Sequence, residues 1–237
     1  CAFGRKKDAP GAYTMALDEA FQTAATGYTE AITEFHIVGG LHPDLPFQYF
    51  LDLIAGLKQR FPQVHLKAFT AVEIHFFAEK FGMDYAQVLT RLRAAGLESL
   101  PGGGAEIFHP DVRRRIAHDK ADGEQYLGVH RAAHALGMPT NCTMLYGHIE
   151  TFEHRVDHLL RLRTLQDETT GFQCFIPLAF HNENNRLRKL PEPTATDHLR
   201  TVAASRLLLD NIPHIKAYWV SMGIDAAQIA LRFGADD

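Results

Sequence analysis

Three cysteines, fourteen histidines and several glycine-rich stretches carry most of the reactive chemistry available to this chain. Cys1 opens it, in Cys1-Ala2-Phe3-Gly4-Arg5. Cysteine thiolates are the ordinary ligands of iron–sulfur clusters, although a lone cysteine takes its meaning from the residues around it. Cys142 and Cys174 fall within apolar runs and read as buried, inert thiols. His130-x3-His134 and His154-x3-His158 each place two imidazoles on one helix face, a spacing able to bind zinc. Neither pair carries the glutamate of H-E-x-x-H, so both read as surface or packing histidines. Gly39-Gly40 allows a backbone to approach a ligand directly, or simply to turn. Pro101-Gly102-Gly103-Gly104-Ala105-Glu106 lacks the Lys-Ser or Lys-Thr of a phosphate loop. It suits a sugar or carboxylate contact, with Glu106 accepting from ribose hydroxyls. Glu150, in Gly147-His148-Ile149-Glu150, reads either as a ligand contact or as a first-turn carboxylate favoured by the helix dipole.

These residues need elements to hold them. Apolar patterning predicts strands over 34–38, 64–69, 97–100, 141–146, 172–178 and 214–220. Between them it predicts helices over 47–61, 72–81, 85–95, 123–136, 152–165 and 194–209. A last helical stretch covers 226–232 and leads into a loop at 233–237. Strand and helix alternate without hairpin signals, which implies a parallel sheet covered by helices. The expected fold is α/β: a parallel β/α barrel of the TIM type, forming one domain over 1–237 and lacking its first strand and its last. In such barrels the active site lies at the C-terminal ends of the strands. That rule gathers Gly39 to Pro43, Thr70 to Glu73, Pro101 to Glu106, Tyr146 to Glu150 and Pro177 to Asn185 on one rim. His42, His148 and His181 fall on rim loops, and His181 is the best candidate for a substrate contact.

The 237 residues suffice for one large core, and barrels of about 250 residues usually form one domain. No apolar run approaches the roughly 20 residues of a membrane helix. A formal charge of -4 argues against a nucleic-acid partner. Three widely spaced cysteines make no disulfide framework, which points to a reducing cytoplasm.

The start of the chain resembles the end of the C-x3-C-x2-C loop of radical S-adenosylmethionine enzymes. The resemblance implies that Cys1 is the third ligand of a 4Fe-4S cluster, with two more cysteines upstream. It also gives Gly39 and Gly40 the methionine end of S-adenosylmethionine through backbone contacts, since Leu41 stands where that family has glutamate. Thr143 to Glu150 resembles the family's stretch beside the adenine, with Gly147 and Glu150 matching. Within the superfamily, His36 to Pro43, Lys67 to Ile74, Leu100 to Ile107 and Phe172 to His181 resemble aminofutalosine synthases of the futalosine route to menaquinone. That implies addition of a 5′-deoxyadenosyl radical to 3-[(1-carboxyvinyl)oxy]benzoate, giving 6-amino-6-deoxyfutalosine. It further implies a flavodoxin- or ferredoxin-type electron donor, with neither nucleic acid nor membrane as partner. Arg5, Lys6, Lys7 and the run Arg186 to Lys189 are cations available to the substrate's two carboxylates. The alternatives are the sister enzymes cyclic dehypoxanthine futalosine synthase and FO synthase, and a metal-dependent barrel hydrolase. The hydrolase would require His-x-His at the rim, which the chain lacks.

Full-length protein reconstituted without oxygen should carry iron and sulfide, and Cys1→Ser should lose them. Unchanged iron and sulfide in that variant would contradict the assignment.

Overall fold

Parallel backbone pairing, in strict sequence order, organises the chain. The computed structural model describes residues 9–237, so Cys1 and the cations Arg5, Lys6 and Lys7 lie outside the described residues. Helix α1 (Leu17–Gly27) precedes strand β1 (Glu34–Ile37), which is followed by α2 (Phe47–Arg60) and β2 (His65–Ala68). Next come α3 (Ala71–Phe81), α4 (Tyr85–Ala95), α5 (Pro110–Ile116) and α6 (Gly123–Ala135), then β3 (Thr140–Tyr146). The rest is α7 (Phe152–Thr169), β4 (Phe172–Ala179), α8 (Ala195–Leu208), β5 (His214–Ile215), α9 (Trp219–Met222) and α10 (Ile224–Ala230).

β1 pairs with β2, and β3 with β4 and β4 with β5, all parallel. Single parallel bridges, Lys67 with Ser99 and Leu100 with Thr140, join the two groups. The expected strand over 97–100 is therefore present only as this link. The expected strand over 214–220 stops at Ile215, because residues 219–222 turn into α9. Trp219 and Val220 carried the strand-like pattern but face solvent. Residues 235–237 form loop as expected, and this loop runs beside β5: Asp236 N–H donates to Ile215 O at 3.0 Å and Ala217 N–H to Asp237 O at 2.7 Å. The result is a partial β/α barrel.

Helix starts explain why the turns hold. α3, α4, α6, α7 and α8 each begin with a reciprocal capping box, in which the cap side chain and the third helical residue satisfy each other's backbone N–H. Gly82 and Gly96 end α3 and α4 in the left-handed conformation that costs glycine little. The two strand faces separate cleanly. Thr140 bonds His130 of α6 at 2.9 Å, and Tyr146 bonds His198 of α8 at 2.7 Å, so even-numbered β3 residues face the helices. Asn141, Thr143 and Leu145 therefore face the barrel interior, with Cys174, Ile176 and Leu178 in register beside them.

The paired histidines are mostly packing elements. His158 is fully buried, accepts from Phe108 N–H at 3.3 Å, donates to Thr143 O at 2.9 Å and stacks on Phe108. Burial drives its pKa down to about 3, and that of His134 to about 4. Among the described residues no group of three or more His, Cys, Asp or Glu side chains could hold a metal ion. A histidine depressed in the folded state contributes stability above the unfolded value of 6.5 and loses it as pH falls below that value. His158 alone should therefore cost about 2 kcal/mol between pH 7.5 and 5. Urea denaturation at the two pH values should show this loss, reduced by that amount in His158→Phe. An undiminished pH dependence in the variant would contradict the role.

Candidate active site

The C-terminal ends of the strands share one rim, and the loops after β1, after residue 100 and after β3 are each fixed by buried polar side chains. After β1, Gly39 N–H donates to Glu73 Oε1 at 3.0 Å. The other oxygen of Glu73 accepts from Thr70 N–H and Thr70 Oγ1, each at 2.8 Å. Glu73 is 3% exposed, and burial raises its pKa to about 7 even against these donors, which favour the charged form. Further along the loop, His42 Nδ1 accepts from Asp44 N–H and Leu45 N–H, so its proton sits on Nε2 and is donated to Thr14 Oγ1 at 2.8 Å. Lys80, near the other end of α3, donates to His42 O and Leu45 O at 3.2 and 2.7 Å.

The glycine loop after residue 100 is pinned to β3. Tyr126 Oη and Thr143 Oγ1 both donate to Gly102 O, at 2.7 and 2.6 Å. A Cβ on Gly102 would stand 2.7 Å from the Cys142 Cα, so only glycine fits there. The buried Arg113 donates to the carbonyls of Gly104, Ala105 and Ala121. Glu106 pairs with Lys120 at 2.8 Å. Burial pushes the Glu106 carboxyl upward, but Lys120, Arg113 and His148 outweigh it and hold the group below the usual carboxylate range.

In the loop after β3, Glu150 accepts from the N–H groups of Gly147 and His148 and from Arg155, whose guanidinium also reaches Thr201 Oγ1 at 3.0 Å. Burial opposes the charge on Glu150, yet His148, these amides and Arg155 keep its pKa low. Glu150 precedes the α7 cap Thr151 and folds back onto its own loop, so it is not a first-turn helix carboxylate. Burial lowers the pKa of His148 despite the neighbouring Glu150. Its Nδ1 lies 2.7 Å from Ile149 N and 3.0 Å from Glu150 Oε2, and its Nε2 lies 3.1 Å from Leu145 O. Gly147 has φ +90°, and a Cβ there would meet Pro193 at 2.4 Å.

Gly39, Gly40, Glu106, Gly147, Glu150 and His181 thus all occupy this rim. Glu106 O accepts from Leu145 N–H at 2.9 Å, which joins Glu106 to the Gly147–Glu150 loop. His181 follows β4 with a half-exposed imidazole, Nδ1 lying 3.4 Å from Glu192 Oε1. The carboxylates of Glu106 and Glu150 already have protein partners, whereas nothing stands within 4 Å of a Cβ placed on Gly40. Sequence reading placed Glu73 on the rim without a role, and missed Arg113, Lys120 and Arg155 as side chains that brace these loops. The Thr70-x-x-Glu73 spacing of a capping box was the one signal that could have given Glu73 its role.

Cys142 and Cys174 do not suit a cluster. Both are buried thiols, and burial raises Cys174 to about 11 and Cys142 well above its usual value. Of the chain's three cysteines that leaves Cys1 for thiolate ligation, and Cys1 lies outside the described residues. The open backbone at Gly40, flanked by the exposed Val38 and Leu41, does suit a cofactor laid along the rim.

Residues 1–162 match the model of the Radical SAM superfamily, and residues 169–237 match the CofH/MqnC C-terminal region. The whole chain is 50% identical to an aminodeoxyfutalosine synthase of Thermus thermophilus and 49% identical to one of Streptomyces coelicolor. It spans 65% and 64% of their lengths, respectively. Identity to a cyclic dehypoxanthine futalosine synthase of Halalkalibacterium halodurans is 38%, again over the whole chain and 64% of the relative. Among solved structures, methylornithine synthase superposes with a TM-score of 0.73 at 18% identity, covering 94% of this chain and 61% of that one, a likeness of fold.

Because the protein itself leaves room beside Gly40, Gly40→Val separates a ligand contact from a turn. Affinity for S-adenosylmethionine should fall about tenfold or more, as expected for a steric clash at a close contact, with melting temperature and cluster content unchanged. Unchanged affinity on titration would make the loop only a turn.

Proposed function

The chain belongs to the radical S-adenosylmethionine superfamily, and from that premise we propose that it is the barrel domain of an aminodeoxyfutalosine synthase. The observation that carries the reading is the pair of relatives so named, 50% and 49% identical along the entire chain, against 38% for the cyclic dehypoxanthine enzyme. Superfamily members use a 4Fe-4S cluster and S-adenosylmethionine, which when bound supply one electron and a 5′-deoxyadenosyl radical. The proposed substrate is 3-[(1-carboxyvinyl)oxy]benzoate and the product 6-amino-6-deoxyfutalosine, formed as the carboxyl group leaves as bicarbonate.

The chain's own tasks are to bind, orient and exclude water. The backbone of Gly39 and Gly40 would hold the amino-acid end of the cofactor. The loops bearing Glu106, Gly147 and Glu150 would shape the adenosyl side. Inward-facing His36 and Asn141, beside Lys67, which pairs with Glu34 at 2.7 Å, supply the barrel interior with hydrogen-bonding groups for the substrate. Asn141 is 8% exposed and its side chain makes no hydrogen bond among the described residues, which leaves its amide available to a ligand. His181 would close the rim over the reacting carbon. Under this reading the electron donor is of flavodoxin or ferredoxin type and the enzyme is cytoplasmic. Among the described residues no helix is long and apolar enough to cross a membrane.

Mass spectrometry of the reduced enzyme with this substrate should show methionine and an adenine-bearing adduct in equal amounts, with little 5′-deoxyadenosine. His181→Ala should raise 5′-deoxyadenosine at the expense of the adduct. Stoichiometric 5′-deoxyadenosine from the unmutated enzyme, with no adduct, would overturn the reading in favour of a hydrogen-abstracting relative.

A further inference from the structure

Glu73 differs from the other residues at its position in the chain's capping boxes. In α4 and α6 the third helical residue is glutamine, and one oxygen closes the box: Gln87 Oε1 accepts from Asp84 N–H at 3.0 Å, and Gln125 Oε1 from Asp122 N–H at 2.7 Å. In α3 the same task falls to Glu73 Oε2, which accepts from Thr70 N–H. That leaves Oε1 for Gly39 N–H, which belongs to the neighbouring rim loop 34 residues earlier. An amide in place of the carboxylate could still cap the helix, but its NH2 would then face the Gly39 N–H, donor against donor. Neither contact alone therefore requires a carboxylate, whereas making the capping box and the bond to Gly39 at once does.

We propose that Glu73 is a positioning residue that sets the Gly39–Gly40 backbone for S-adenosylmethionine. It does not reach the ligand itself, being 3% exposed with both oxygens engaged. The surroundings support a brace. Phe69 N–H donates to Ile37 O at 3.1 Å, tying the end of β2 to the end of β1. Phe69 has φ 61°, a left-handed conformation uncommon for a bulky residue, and it directs Thr70 and Glu73 toward the β1 loop. Lys80 holds His42 and Leu45 from the other end of the same helix, so α3 fixes the loop at both ends. The proposal rests on the reading of Gly39–Gly40 as the cofactor loop. The two are separable, since Gly40→Val probes the loop and substitution of Glu73 probes its brace.

The test uses the full-length, cluster-loaded enzyme. Glu73→Gln should weaken S-adenosylmethionine binding about tenfold by titration, in keeping with the loss of one hydrogen bond to a charged group. KM for the cofactor should rise by a similar factor, while kcat and iron content stay near those of the parent. Thr70→Val, which removes the hydroxyl cap but keeps the side-chain shape, should lower the melting temperature and change affinity less than twofold. Hydrogen exchange over residues 36–45 in the cofactor-free protein gives a second readout: the Gly39 amide should exchange at least tenfold faster in Glu73→Gln. Unchanged affinity in Glu73→Gln while Gly40→Val still weakens binding, or unchanged exchange at Gly39, would overturn the positioning role.

Discussion

The rim exists because consecutive strands pair in parallel. A parallel neighbour runs the same way as its partner, so each crossover returns the chain to the same end of the sheet and every strand-to-helix loop emerges on one side. Six segments keep this order from Glu34 to Ile215, including the single-bridge link at Ser99 and Leu100. The link is thin, and Gly102 is what permits it. With no Cβ, its backbone packs directly on that of Asn141 and Cys142, while Tyr126 and Thr143 saturate its carbonyl.

On this scaffold the rim collects buried charge, and the protein satisfies each one locally. Glu106 has Lys120, Glu150 has Arg155 and two backbone amides, and Glu73 has three donors from two loops. Unpaired, such groups would be costly away from water. Paired, they hold loop backbones in fixed shapes, which suits a site whose task is to orient a reactive ligand and keep solvent out. The carboxylates therefore shape the loops, and the exposed backbone at Gly40 offers the contact surface.

Much of this was legible in the sequence, for identifiable reasons. Strands over 34–37 and 65–68 alternate polar and apolar residues, those over 140–146 and 172–179 are mainly apolar or uncharged, and all lie within one residue of their expected limits. α4 matches residue for residue, because Asp84 and Gly96 mark both of its ends. α5 was missed: its pattern Pro110-Asp111-Val112-Arg113-Arg114-Arg115 looks solvated, yet Arg113 turns inward to cap a loop. α7 runs to Thr169, four residues past expectation, because Gln166 is buried against Phe172 and Asn211. Among the described residues, Gly39, Gly40, Glu106, Gly147, Glu150 and His181 follow the strands in the loops where the barrel rule places them. What joins them was not legible, since the bonds from Gly39 to Glu73 and from Arg155 to Thr201 span 34 and 46 residues.

A structure of the anaerobically reconstituted full-length enzyme with S-adenosylmethionine bound would test the central claim most directly. The account predicts the cofactor along the rim, its amino-acid end within hydrogen-bond distance of the Gly39–Gly40 backbone, its adenine beside the Gly147–Glu150 loop, and Glu73 still bonded to Gly39. Electron density for the cofactor elsewhere, with the Gly39–Gly40 backbone left in solvent, would contradict it.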